Sequence, residues 1–350
     1  MNTSNQNNTH QRRVRYKGTH PKKYEEKYKE LQPDKYTDTI EKIIQKGSTP
    51  AGMHIPICLN EIMNFLDVGP GQKGIDCTLG YGGHAQVILS KLNGCGHLHA
   101  TDVDALELPK TTKRLLDLGY DSSVFTPHNQ NYSSIDELVK EFGRFDFVLA
   151  DLGVSSMQID NPARGFSYKT QGPLDLRLDP TKGIPASERL KETDPLELEG
   201  MLYENSDEPY AHQIALAICN HLSKGGSIET TSDLRAIITN TLKAIPEANK
   251  EDQIKKSCQR CFQALRIDVN NEFEELYNFL EKLPECVAHG GKVAILTFHS
   301  GEDRLVKKAF KDYYKRGLFS EISSDAIRPT TEECAMNPRA RSAKLRTAIR

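Results

Sequence analysis

The chain has 350 residues, 37% hydrophobic and 27% charged, enough to bury one large core or two moderate ones, with a formal net charge of -2 at pH 7. No apolar run approaches the ~20 residues of a membrane span and no apolar signal core opens the chain, so a cytoplasmic protein with no membrane partner is expected. The near-neutral balance excludes a uniformly basic nucleic-acid binder, and eight scattered cysteines lack the spacing of a zinc site, so no metal is expected.

In chain order, residues 1–50 read as a basic, partly disordered extension. Met1 to Tyr24 has no Asp or Glu, whereas Arg12, Arg13, Arg15, Lys17, Lys22 and Lys23 crowd together, and Glu25 to Lys46 is polar and helix-capable. Apolar residues become regular near His54. Over residues 51–157 strands and helices then alternate: a helix over 61–66, a strand over 74–78, a helix over 84–92, a strand over 97–101, a helix over 106–118, a strand over 123–126, a helix over 135–142 and a strand over 145–150. That alternation predicts an α/β fold with a parallel, Rossmann-like sheet. Strands vanish from 158 to 255, where 196–202, 211–222 and 231–242 have helical periodicity, so an inserted all-helical subdomain is expected. The α/β pattern resumes over 256–350 with a helix from Cys258 to Leu280, an apolar strand over 292–298 and a basic C-terminal tail, Asn337 to Arg346. The pair Cys258 and Cys261 falls in a helix away from a strand end, which disfavours a redox motif.

Several polar groups emerge where strands end: Asp76 before the glycine turn Gly80-Tyr81-Gly82-Gly83-His84, Asp102 and Asp104, Asp151 before Ser155 and Ser156, and His299 with Ser300. In a doubly wound sheet those ends line the ligand crevice. Glycines let backbone approach a nucleoside, a helix start offers free amides, and a carboxylate after the second strand suits ribose hydroxyls. The spacing Gly80-x-Gly82-x-x-Ala85 with Asp102 also satisfies the NAD pattern, so an oxidoreductase stays open from the glycines alone. His84 reads equally as a helix cap or a cofactor contact. The basic stretches at the two ends of the chain suggest clamps for a polyanion.

Seven segments in order carry a more specific signal: Gly82-Gly83-His84; Asp151 to Ser156 (DLGVSS) with Gln158; Arg164 to Tyr168 (RGFSY); Gly172 to Asp179 (GPLDLRLD); Gln263 to Asn270 (QALRIDVN); Phe298 to Arg304 (FHSGEDR); and Asn337 to Arg346 (NPRARSAKLR). Together they resemble the family of bacterial 16S rRNA (cytosine 1402-N4)-methyltransferases, from about His54 to the C-terminus, with only the N-terminal extension outside the likeness. The chain departs from the family at Val103, Tyr132, Tyr168, Leu176, Leu178 and Gly301, the last expected to loosen a loop beside the site.

The resemblance implies an S-adenosyl-L-methionine-dependent enzyme whose methyltransferase domain is interrupted by the helical one. It implies cofactor contacts at Gly82, Gly83, His84, Asp102, Tyr132, Asp151 and Gln158, with Asp151, Ser155 and Ser156 as candidates at the amino-group site. Arg164, Phe166, Arg177, Arg339, Arg341 and Lys344 are the expected RNA contacts, against internal ion pairing for Arg177 and simple packing for Phe166. The expected partner is 16S rRNA in the small ribosomal subunit. Oligomeric state is not fixed by the sequence, and a homodimer is compatible with it. Amino-methylation of another RNA or DNA base, or a cofactor-binding assembly factor, are the alternatives.

Overall fold

The computed structural model describes residues 56–244 and 250–350. The basic extension, the expected helix over 25–46 and the start near His54 lie outside the described residues. Seven strands form one sheet: β1 (Lys73–Asp76), β2 (His97–Thr101), β3 (Phe125–His128), β4 (Phe145–Asp151), β5 (Val287–Thr297), β6 (Glu321–Ile322) and β7 (Lys344–Ile349), in the order β3-β2-β1-β4-β5-β7-β6. β1 to β5 are parallel, and β7 runs antiparallel to both its neighbours. The order reverses between β1 and β4, so the ends of β2, β1 and β4 surround one crevice.

Residues of β4 alternate between two cores because successive side chains of a strand point to opposite faces. Phe147 and Leu149 pack under α1 (Leu59–Leu66), α2 (Gly83–Leu92) and α3 (Leu108–Asp117). Val148 and Ala150 pack under α4 (Ile135–Phe142). All four are 0% exposed, which is why β4 is nearly continuously apolar. The helical layer follows with α5 (Ser156–Asp160), α6 (Ala186–Glu192), α7 (Pro195–Ser206), α8 (Ala211–Ser223), α9 (Thr231–Lys243) and α10 (Lys250–Val269). The chain then returns to the sheet through α11 (Glu272–Cys286), β5 and α12 (Ser300–Lys315), and α13 (Thr331–Met336) precedes β7. Among the described residues no helix is long and apolar enough to cross a membrane.

Three expectations change. The helical core of Leu198, Leu202, Ile214 and Leu234 includes Cys258, Cys261, Phe262 and Leu265, so the insert's packing runs into α10 beyond residue 255. Cys258 and Cys261 are buried there, and burial pushes the Cys258 thiol up to about 11. The single helix expected from Cys258 to Leu280 is broken at Asn271, whose φ of 50° is left-handed, a conformation asparagine tolerates. The basic C-terminal run is not a tail either: its end is β7, in which Leu345, Arg346, Thr347 and Ala348 are buried.

Candidate active site

The turn after β1 is built for close approach. Gly80 and Gly82 have φ of 50° and 71°, and a Cβ on Gly82 would lie 3.0 Å from Thr111 Cγ2. The amide of Gly80 donates to Asp102 Oδ2 at 2.7 Å and that of Asp104 to Asp102 Oδ1 at 2.8 Å. Those two amides aim the Asp102 carboxylate into a cleft of about 820 Å³ that also takes in Gly83, His84, Tyr132, Asp151, Ser155, Ser156 and Gln158. Burial pushes Asp102 up to about 6. Tyr132, just past β3, sets its ring edge-on to Phe279 at 5.3 Å, and burial raises its phenol strongly.

Asp151 closes β4 opposite Leu296 of β5, and its amide donates to Thr78 Oγ1 at 2.6 Å. Next to it, His84 is 6% exposed; its Nε2 donates to the Ile57 carbonyl at 3.3 Å and its Nδ1 lies 3.6 Å from Asp151 Oδ2. His84 caps nothing, since α2 is opened by Gly82 without a side-chain bond. Burial lowers His84 to about 4, so it is a neutral ring.

Ser155 and Gln158 form a capping box on α5: Gln158 N donates to Ser155 Oγ at 3.1 Å and Ser155 N to Gln158 Oε1 at 2.9 Å. Gln158 Nε2 donates to Asp104 Oδ2 at 2.8 Å, so both ends of this amide already serve the fold. Ser156 is half-buried in the cleft wall.

The residues expected to touch RNA divide sharply. Arg164 is 7% exposed; it pairs with Asp104 at 2.8 Å and donates to the carbonyls of Arg177 and Leu178. It ties the insert to the end of β2, and these partners already occupy the guanidinium expected to meet a phosphate. Phe166 is 8% exposed, packs in the helical core and lines the cleft, with the Arg164 guanidinium 5.6 Å from its ring. Arg177 forks onto Asp175 at 2.7 and 2.8 Å and onto the Lys182 and Gly183 carbonyls, the internal pairing weighed against RNA contact. Lys344 pairs with Asp303 at 2.8 Å, beside Arg346 at 2.6 Å. Arg339 bridges to Asp160 at 2.7 Å. Arg341 is exposed at the cleft rim and has no ion-pair partner among the described residues.

Comparison with known proteins decides the relation. The model of the MraW methylase family matches residues 51–350. The chain belongs to that family. Ribosomal RNA small subunit methyltransferase H 1 of Lachnoclostridium phytofermentans is 62% identical over 348 residues, 99% of this chain and 95% of that protein. Ribosomal RNA small subunit methyltransferase H 2 of Alkaliphilus metalliredigens is 62% identical over 340 residues, 97% of each. Ribosomal RNA small subunit methyltransferase H 1 of Agathobacter rectalis is 61% identical over 341 residues, 97% of this chain and 98% of that protein. The family match begins at residue 51, in line with a likeness that starts near His54, while the alignments with these near relatives also take in most of the N-terminal extension.

In this MraW methylase the residues fit a nucleoside cofactor with a charged tail. A glycine cradle, an aimed carboxylate and a flat aromatic ring stand on one side of the cleft, and acceptors at Asp151 on the other. Sequence reasoning missed the groups that hold this shape. Asp104 takes Arg164 and Gln158 while also accepting the amides of Leu106 and Glu107. Asn270 accepts from Leu178 N at 2.7 Å and donates to Leu176 O at 2.8 Å, pinning a buried leucine whose φ is 64°. Arg266 forks onto Glu272 at 2.7 and 2.8 Å, and Glu302 accepts from Phe298 N. Gly301 is no loosened loop: it sits in α12, where a Cβ would lie 2.4 Å from Phe273 Cζ. The motifs around Asp104, Asn270 and Glu302 were visible, but nothing in a string of residues shows which carboxylate meets which arginine.

Proposed function

We propose that this chain transfers a methyl group from S-adenosylmethionine to the exocyclic N4 of a cytosine in 16S rRNA of the small ribosomal subunit, position 1402 in the P site. One observation carries the reading: a single cleft joins a nucleoside site at the sheet's switch point to a wall supplied by the helical insert, in a MraW methylase. When bound, the cofactor supplies an electrophilic methyl on a positive sulfur and a neutral thioether leaving group, so no general acid is needed. Asp102 is placed to accept from ribose hydroxyls, and the Gly80 to Gly83 backbone lets the ligand approach β1. Tyr132 offers an apolar flank for the purine.

A cytosine must leave its stack to reach this depth, and Phe166 and Tyr168 on the insert side give it aromatic surfaces. Its amino lone pair is delocalised into the ring. Acceptors for the amino hydrogens at Asp151 and Ser156 favour the pyramidal nitrogen that attacks, and holding the two reactants in line supplies much of the remaining acceleration. The test is methyl transfer from labelled cofactor to small subunits from cells lacking the enzyme, alongside protein-free rRNA and DNA, with the modified nucleoside mapped. N4-methylcytidine at the P-site position is the expected product. Transfer to another base would reassign the substrate, and cofactor binding without transfer to any RNA would favour an assembly factor.

A further inference from the structure

Among the described residues, the buried carboxylates face a basic side chain with one exception. Asp104 faces Arg164 at 2.8 Å, Glu272 faces Arg266 at 2.7 Å, and Asp303 faces Arg346 at 2.6 Å. Asp179 faces Lys182 at 3.3 Å, Glu208 faces Arg260 at 3.8 Å, and Glu302 faces His299 at 3.1 Å. Asp76 is 1% exposed and has no ion-pair partner among the described residues; its hydrogen bonds come from Thr78, whose amide lies at 3.1 Å. Asp151, one strand away, has only the neutral His84 ring. A buried carboxylate without a cation takes up a proton or waits for a positive ligand.

The other groups around the pair add no positive charge. Cys77 and Asp102 lie toward Asp76, Glu302 on α12 toward Asp151, and Cys58 before α1 also faces Asp151. Arg266 is matched to Glu272 at 2.7 Å, and the His299 ring lies against Glu302 at 3.1 Å. The tautomer of His84 points the same way. Because the Ile57 carbonyl can only accept, Nε2 carries the hydrogen, and the bare Nδ1 turned toward Asp151 suits a carboxyl bearing a proton better than a carboxylate.

We propose that Asp76 and Asp151 form a charge-selecting pair that holds a proton in the ligand-free protein and releases it when a cationic group of the cofactor, its sulfonium or its α-ammonium, takes the proton's place. The idea rests on the cofactor reading above and assigns Asp76 a role in it. The O–H bond of the carboxyl breaks, the electron pair stays on oxygen, the proton leaves to solvent, and the cation pairs with the carboxylate, so the site's net charge is unchanged. Burial pushes Asp151 up to about 8, with the charges of Asp76 and Glu302 adding to it, and Asp76 up to about 7, with Asp102 adding to it, so the exchange falls near neutral pH. Affinity for a cationic ligand then rises with pH until the carboxyl is already ionised, and flattens above about 8.

Calorimetric titration of the full chain, in two buffers of different ionisation enthalpy at each of pH 6, 7 and 8, tests this. S-adenosylmethionine, S-adenosylhomocysteine and methylthioadenosine are the probes, carrying both cationic groups, the ammonium alone, and neither. S-adenosylmethionine should bind with release of up to one proton and gain up to about tenfold in affinity per pH unit below the plateau. Methylthioadenosine should release none. Release by S-adenosylhomocysteine as well assigns the exchange to the ammonium; release by S-adenosylmethionine alone assigns it to the sulfonium, and then the product is released more readily as the pH rises. Asp76→Asn keeps the acceptor for Thr78 and should release fewer protons on binding S-adenosylmethionine, since Asp151 keeps the part of its raised value that burial alone gives; unchanged release would remove Asp76 from the pair. Binding of S-adenosylmethionine with no net proton exchange in both buffers overturns the pair, even though the cofactor reading stands. Failure of every adenosyl ligand to bind removes the cofactor reading and the pair with it.

Discussion

Asp104, just past β2, and Asp151, the last residue of β4, are carboxylates at neighbouring strand ends, yet the protein treats them in opposite ways. Asp104 is 1% exposed and saturated: Arg164 and Gln158 reach it from the insert and two amides from its own turn. Asp151 has one neutral histidine at 3.6 Å and otherwise faces the cleft. The difference teaches that position at a strand end does not make a residue a ligand group. The end of β2 uses one carboxylate, Asp102, for the cleft and spends the next on clamping the insert to the sheet; the end of β4 leaves its carboxylate uncompensated.

Breaking the saturated side should have the largest effect. Arg164→Ala strands a buried Asp104, a change that costs about 3–5 kcal/mol when one partner of a buried pair is removed. Urea unfolding is the measurement, with a lowered midpoint expected. The double variant Arg164→Met with Asp104→Asn should recover much of the loss, because no unpaired charge then remains. A loss under about 1 kcal/mol for the single variant would show that the pair does not hold the insert.

The open side responds through binding instead. Asp102→Ala removes the acceptor aimed by the Gly80 and Asp104 amides, and losing hydrogen bonds to a charged group costs about 1.5–3 kcal/mol, roughly 10- to 100-fold in cofactor affinity. Titration with S-adenosylmethionine measures it, and thermal unfolding should change much less than for Arg164→Ala. Equal affinity in the variant would move the ribose site elsewhere.

The same contrast explains what the sequence made legible. Alternating apolar runs and the glycine turn announced the sheet, the switch point and Asp76, Asp102 and Asp151, because strand periodicity and turn chemistry are local. The break at Asn271 was missed although Asn270 and Asn271 stand side by side, since the helical pattern runs on through both. The C-terminal strand was missed because Lys344 and Arg346 read as solvated cations, whereas Asp303 on α12 neutralises both from a distance of some 40 residues in sequence. Arg164 and Arg177 misled for the same reason: charge is visible in a sequence and its partner is not.

Stability against pH probes the uncompensated side of the comparison as well. A carboxyl whose folded value lies above its unfolded value binds more protons when folded, so stability falls as pH rises and stops falling above the folded value. The ligand-free protein should lose stability as pH rises above about 4, on the order of 1 kcal/mol per pH unit per group, until the contribution of Asp76 levels off near 7 and that of Asp151 near 8, so that above about 7 the fall belongs to Asp151. His84, lowered to about 4, acts in the opposite direction but only below about 6.5, so it leaves that upper range clear. Asp151→Asn should flatten the fall in urea midpoint. A profile that is already flat in the unaltered protein would mean that Asp151 is ionised without a ligand.

The smallest effect concerns the cleft rim, where Arg339 and Arg341 repeat the contrast two residues apart. Arg339 is 35% exposed and tied to Asp160 at 2.7 Å, so a phosphate must compete with a carboxylate for it. Arg341 has no such competitor among the described residues, and its guanidinium is the one of the six expected RNA contacts that is exposed and unpaired. Each phosphate neutralised on single-stranded RNA contributes about 0.7 to the slope of log affinity against log salt. Arg341→Ala should therefore lower that slope by about 0.7 with an rRNA fragment, whereas Arg339→Ala should change it less. The two variants can thus be told apart by salt even where their affinities at one ionic strength coincide. Equal slopes for Arg341→Ala and the unaltered protein would place the phosphate contacts away from this rim.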